Sequence, residues 1–291
     1  MNSKIRHPVK NETSLWIENL VDGVSGLTIK ARHALFCGSS PFQKIEVFDT
    51  YSFGLVLCLG GTVVLTERGS EPYHEMMVHP AMLMHPDPKR ICIIGGGDGG
   101  CLNEVLRHPS VETVTVVEID RMVRETVQTH FPLFSQGFND SRTELVIDDG
   151  YHFLSSTDKQ FDLILVDSYD PGGPVRSLET SDFYSIVAGR LNAGGIAVFQ
   201  IGPPLVNEDF LRDSALSVSS LYAQYKVSTC SIRSFPEGSC CFITACADQK
   251  GLDGFNRVGY ELISDQCCYY SDEVHKGAFM LPRCVKRIFC P

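Results

Sequence analysis

The chain has 291 residues, 43% of them hydrophobic, and a formal net charge of -10, which allows a sizeable core in one large domain or two smaller ones and excludes wholesale disorder. The acidic balance argues against a nucleic-acid partner, whose phosphates need basic patches. No apolar run reaches the ~18 residues of a membrane span, and residues 1–16 lack the apolar centre of a signal peptide, so no membrane role and a cytoplasmic location are expected.

In chain order, short β-prone runs at 27–29, 44–48, 54–59 and 62–66 are separated by Gly and Ser, and residues 12–80 read as β-rich. Helical spacing follows over 73–84. From residue 90 the pattern alternates. Strands are predicted at 90–94, 113–118, 143–147, 161–167, 195–200, 226–232 and 240–245, and helices at about 99–108, 120–130, 151–157, 180–191 and 207–224. The expected fold is α/β: a Rossmann-like doubly wound sheet, its last two strands forming an antiparallel edge. The domains expected are a β-rich oligomerisation unit over 1–80 and a catalytic unit over 81–291. The tail 269–289 reads as amphipathic helix.

Residues 91–120, ICIIGGGDGGCLNEVLRHPSVETVTVVEID, carry the strongest signal. An apolar strand ends in a glycine-rich turn, a helix follows, and the next strand ends at Glu118. This is a βαβ unit whose glycines let the backbone approach a ligand and whose acid can accept from ribose hydroxyls. Asp98 inside the glycine loop would repel a pyrophosphate. An adenosyl sulfonium carrying an amine suits the loop better.

Ligands of such sheets bind outside the carboxyl ends of the strands. Here four consecutive strands end in acids, giving Asp98, Glu118, Asp148-Asp149-Gly150 and Asp167-Ser168-Tyr169-Asp170-Pro171, and the next ends at Gln200. One such acid is commonly a helix N-cap; four at one sheet edge predict a slot that attracts and orients amines. There is no G-x-S-x-G elbow. His74 and His79 are five apart, not the four of H-E-x-x-H, so no zinc site is supported. The twelve cysteines contain no C-x-x-C and read as reduced structural thiols, with no metal expected.

These loops resemble the spermidine synthase (polyamine aminopropyltransferase) family over about residues 14–289. The resemblance rests on SSPFQKIEVFDT, LTERGSEPYHEMMVHPAM, IIGGGDGG, VVEID, VIDDG, LVDSYDPGGP and YYSDEVHKGAFMLP. It implies that the Rossmann-like doubly wound sheet is of the adenosylmethionine-dependent methyltransferase type, and that an aminopropyl group passes from decarboxylated S-adenosylmethionine, a co-substrate, to putrescine or a related amine, with no cofactor and with methylthioadenosine released. By resemblance Gln43, His74, Asp98, Glu118, Asp149 and Gly150 would hold the donor. Glu118 would take the ribose, Asp149 the adenine amino group and Asp98 the aminopropyl ammonium. Tyr73, Asp167, Asp170, Gln200 and Phe235 would line the acceptor site, with Asp167 as general base beside Tyr73. A homodimer is expected.

Departures from the family pattern fall on the acceptor side. Leu59-Gly60-Gly61 stands for LDG, Val64 for Gln, and Ser234-Phe235-Pro236-Glu237-Gly238 for TYPSG, so Phe235 lacks a hydroxyl. Cys240 replaces an aromatic. They point to a different acceptor or a drifted enzyme. The alternatives are an S-adenosylmethionine-dependent amine N-methyltransferase and a catalytically impaired paralogue. Asp98 counts against the first, since it would repel the carboxylate of intact S-adenosylmethionine. Tyr73, Asp167 and Asp170 count against the second.

Overall fold

The computed structural model describes residues 14–21, 23–168, 178, 180–249 and 251–289. The chain opens with five antiparallel strands in sequential order: β1 (Leu15–Val21), β2 (Ser25–Ser39), β3 (Lys44–Thr50), β4 (Leu55–Leu59) and β5 (Thr62–Thr66). The fifteen-residue β2 pairs with β1 through its first half and with β3 through its second. Register shifts between Ala31 and His33 and between Ala34 and Phe36 break its period-two pattern. Only 27–29 therefore looked like strand in the sequence, and β1 was not anticipated. Gly60 and Gly61 both have positive φ, +60° and +92°, and form the tight turn between β4 and β5.

Helix α1 (Glu71–Met84) starts with Pro72 in its first turn, where a missing N–H costs nothing. It is buried from Tyr73 to Met84, because its side chains join the core of the second sheet. That sheet comprises β6 (Arg90–Gly95), β7 (Thr113–Glu118), β8 (Thr143–Ile147), β9 (Phe161–Asp167), β10 (Leu191–Gly202), β11 (Gln224–Ser231) and β12 (Ser239–Cys246), ordered β11-β12-β10-β9-β6-β7-β8. The connecting helices are α2 (Gly100–Leu106), α3 (Arg121–His130), α4 (Gly150–Ser156), α5 (Ser181–Gly189) and α6 (Glu208–Leu221). The doubly wound α/β fold is as expected, with one refinement. β12 inserts between β10 and β11 and is antiparallel to both, so the edge strand is β11.

The tail forms α7 (Arg257–Ile263), α8 (Asp272–Ala278) and α9 (Arg283–Phe289). Pro282 lies between the last two, where a single helix over 269–289 would need its backbone N–H. Apolar side chains cover both faces of the second sheet. The first sheet packs Ile45, Val47, Leu57 and Leu65 against Val123, Val127 and Phe131 at α3. That contact brings the two sheets together around a cleft.

β6 is the first strand of the doubly wound sheet, and it lies between β7 and β9. The chain winds one way to β8 and then returns to β9 on the other side of β6. A crevice opens at such a switch point, outside the strand ends.

Candidate functional site

The cleft at this switch point has a volume of about 610 Å³. Gly95 at the end of β6 is the register partner of Asp167 at the end of β9. A Cβ on Gly95 would lie 2.3 Å from the Asp167 carbonyl oxygen, so the close approach needs glycine. One on Gly100 would lie 2.2 Å from the His74 ring, so α1 can seat on the glycine loop only without a side chain there.

Among the residues anticipated for the donor, Gln43, Asp98, Glu118, Asp149 and Gly150 line the cleft, and His74 stands behind Asp98. Asp98 Oδ1 accepts from the Gly100 N–H at 2.9 Å, and Oδ2 lies 3.3 Å from His74 Nε2. Burial works against charge on both groups. The mutual ion pair outweighs it, holding the His74 imidazole above its ordinary value and the Asp98 carboxyl below its own.

Glu118 accepts from the N–H groups of Asp120 at 2.8 Å and Gly97 at 3.0 Å. Burial nevertheless pushes its carboxyl up to about 7. Asp149 caps α4 by accepting from the His152 N–H at 2.9 Å, so the common N-cap role and a place at the cleft coexist. Gln43 is held by Asp120, whose Oδ2 lies 3.4 Å from the Gln43 amide nitrogen and 2.6 Å from Ser40 Oγ.

On the other side of the glycine loop the Tyr73 hydroxyl donates to Asp167 Oδ1 and lies 2.9 Å from the Gln200 amide. A phenol has one proton. That proton is shared between two acceptors, Asp167 Oδ1 and Gln200 Oε1, while the Gln200 Nε2 turns toward Cys240. Burial, and then the nearby charge of Asp98, push the Asp167 carboxyl up against the opposing hydrogen bond from Tyr73. Burial and the Asp167 charge push the Tyr73 hydroxyl well above its usual range, so it stays a donor. Phe235 stacks at a tilt on Tyr73, ring centres 5.9 Å apart, and borders the cleft with Pro236 and Glu237. Cys240 is buried, its Sγ 3.9 Å from the Gln200 amide. Asp170 lies outside the described residues.

Two residues near the cleft were not singled out from the sequence. Cys101, one residue past the glycine loop, is fully buried near Asp167. Asn19 lies on β1, and only recognising that strand would have flagged it. Away from the cleft, ligand atoms of Glu75, His79 and Cys267 lie within 4.8 Å of one another. Glu75 accepts three backbone N–H groups, from Cys268, Tyr269 and Tyr270, and His79 bonds His108 and Glu104. These contacts make the cluster an internal polar network tying the tail to α1.

A doubly wound sheet with a glycine loop, an acid at the end of the next strand and an open crevice at the switch point defines a nucleoside-binding class of protein, here with a further acid inside the loop. Two family models match the chain, the spermine/spermidine synthase domain over residues 70–252 and the spermidine synthase tetramerisation domain over residues 15–67. A polyamine aminopropyltransferase from Thermoanaerobacter sp. (strain X514) is 36% identical over 275 residues, covering 94% of this chain and 98% of the relative. A spermidine synthase from Schizosaccharomyces pombe is 31% identical over 283 residues, covering 96% and 94%. Among solved structures, a spermidine synthase in complex with the transition-state analogue AdoDATO superposes with a TM-score of 0.91 at 30% identity, over 98% of both chains. The spermidine synthase from Thermotoga maritima gives 0.90 at 30% identity, covering 98% of this chain and 97% of that one. The chain belongs to the spermine/spermidine synthase family, a family of aminopropyltransferases.

Proposed function

We propose that this cleft moves the aminopropyl group of decarboxylated S-adenosylmethionine to a polyamine acceptor, putrescine or a related amine. The observation that carries the reading is the placement of Asp98, inside the glycine loop, and Asp167, on the neighbouring strand, in one cleft. Glu118 receives the ribose hydroxyls, Asp149 and Gly150 border the adenine, and Gln43 and the His74–Asp98 pair face the sulfonium arm. Asp98 takes the donor's ammonium. The acceptor lies along Tyr73, Asp167, Gln200 and Phe235, and Asp170 belongs to the same set.

An ammonium has no lone pair, so the acceptor must first lose a proton. Asp167 is the base, and its raised affinity for protons suits that task. The freed amine nitrogen attacks the carbon beside the sulfonium, a C–N bond forms, and the C–S bond breaks with its electrons passing to sulfur. Methylthioadenosine leaves as a neutral thioether. Holding both substrates in one acidic slot supplies proximity.

The 1–80 and 81–291 division belongs to the same reading. The packing of α1 on the larger sheet supports a boundary nearer residue 70. Exposed Leu15, Trp16 and Leu35 on the first sheet, and the match to a tetramerisation domain, support a homo-oligomer, either the expected dimer or a tetramer. Light scattering at micromolar concentration tests this; a lone species near 32 kDa refutes it. No helix among the described residues is long and apolar enough to cross a membrane, and a cytoplasmic location remains the proposal. Incubation with decarboxylated S-adenosylmethionine and a panel of amines, read by mass spectrometry, tests the reaction. Absence of an aminopropylated product with every amine sinks it.

A further inference from the structure

The acceptor end of the cleft is built from both sheets. Leu20 and Val21 of β1 and Val63 and Val64 of β5 face Phe235 and Pro236 from the turn between β11 and β12. Those strands are the two edges of the first sheet, and an edge carries unpaired backbone groups. One polar side chain joins all three segments. Asn19 is 0% exposed. Its Oδ1 accepts from the Val63 N–H at 3.3 Å, closing β1 onto β5, and its Nδ2 donates to the Ser234 carbonyl at 3.1 Å.

The next links run toward the reacting groups. Ser234 precedes Phe235, Phe235 packs on Tyr73, and Tyr73 bonds Asp167. The turn itself is closed by backbone bonds from Ile232 to Gly238, from Phe235 to Ile232 and from Gly238 to Phe235. It therefore moves as a unit. A second clasp reinforces the first: the Arg233 guanidinium stacks on the Phe53 ring of the first sheet, 4.9 Å from its centroid.

The geometry points to Asn19 as the positioning residue that sets the width of the acceptor end, holding the Phe235 turn against the first sheet. This rests on the aminopropyl-transfer reading. Asn19 is fully buried with both amide atoms engaged by protein groups, so it acts through the wall it holds. The donor end is built from the glycine loop, the ends of β7 and β8, His74 of α1 and, from the first sheet, Gln43 in the turn between β2 and β3, none of which Asn19 bonds. A loosened wall should therefore weaken acceptor binding selectively. The role also gives the first sheet a catalytic duty besides assembly.

Steady-state kinetics of Asn19→Ala, with calorimetry of methylthioadenosine binding, test the inference. The expected result is an acceptor KM raised about tenfold, as the released wall holds the binding-competent width only about one-tenth of the time. The kcat at saturating acceptor stays within about threefold and methylthioadenosine affinity is unchanged. An acceptor KM within about twofold of wild type overturns the inference. So does a parallel loss of kcat and methylthioadenosine affinity, which marks general structural damage. Arg233→Ala loosens the second clasp from an exposed position and serves if Asn19→Ala does not fold. A rise of about threefold in acceptor KM supports the inference, and no change refutes it. Wild-type protein without turnover on any amine sinks the reaction itself; the wall is then read from diamine binding to the methylthioadenosine complex, which Asn19→Ala or Arg233→Ala should weaken.

Discussion

Replacing Asp98 with asparagine keeps the shape of the glycine loop and deletes one charge. The asparagine carbonyl can still accept from the Gly100 N–H, which Asp98 now holds at 2.9 Å. What disappears is the partner of the donor's ammonium and of His74. Two unit charges about 4 Å apart at an effective dielectric of ~20 interact by about 4 kcal/mol, or nearly three decades in affinity. His74 lies 3.3 Å away and, when protonated, already offsets part of that charge. The expected loss in affinity for decarboxylated S-adenosylmethionine is therefore smaller, about 10- to 100-fold. S-adenosylmethionine, whose carboxylate Asp98 repels, should bind as well as before or better, so the ratio between the two ligands collapses. Titration calorimetry with both reads this directly. The histidine gives an internal control. Without Asp98, burial is no longer outweighed by the pair and the His74 imidazole titrates lower, which NMR follows. If the His74 titration moves down while affinity for the decarboxylated donor stays within about threefold, Asp98 does not bind the ammonium and the reasoning fails.

Asp167→Asn should lower kcat by about 10²- to 10⁴-fold, the usual worth of a general base, with donor affinity kept; turnover within about threefold of wild type removes Asp167 from that role. Glu118, with its carboxyl pushed up to about 7, should make donor affinity rise as pH rises through about 7, because the carboxylate is the better acceptor for ribose hydroxyls. The same raised value means that folding itself holds the proton, so this group's contribution to stability falls between its ordinary value and about 7. Calorimetry and urea melts at pH 5 and 8 should therefore trend oppositely, and a flat donor affinity would exclude Glu118 as the ribose acceptor. Phe235→Tyr should improve kcat/KM for putrescine by about 2- to 10-fold, one hydroxyl contact, and wild-type protein should favour a longer or more basic amine among cadaverine, agmatine and spermidine. The altered-acceptor idea fails if putrescine leads every other amine by at least tenfold and Phe235→Tyr leaves its rate unchanged.

The sequence by itself determined the βαβ unit, its glycine loop and the acids at the ends of four strands. These are local facts, since each glycine turn, apolar run and strand-terminal carboxylate is read within its own strand and turn, about 30 residues or fewer from the next, and follows backbone sterics and side-chain period. Long β2 was less legible because its register shifts spoil the alternation, and the insertion of β12 was not legible because pairing order is not a local property. Tertiary structure decided what the acids do. It set β6 beside β9, so that Gly95 meets Asp167, and brought Tyr73 onto Asp167 across 94 residues and Asn19 onto Ser234 across 215. It also decided the charges. An aspartate in water titrates alike wherever it sits in the sequence, and only burial beside a partner separates them. Asp98, paired with His74, is held charged, while Asp167, buried and near the Asp98 charge, is left ready to take a proton.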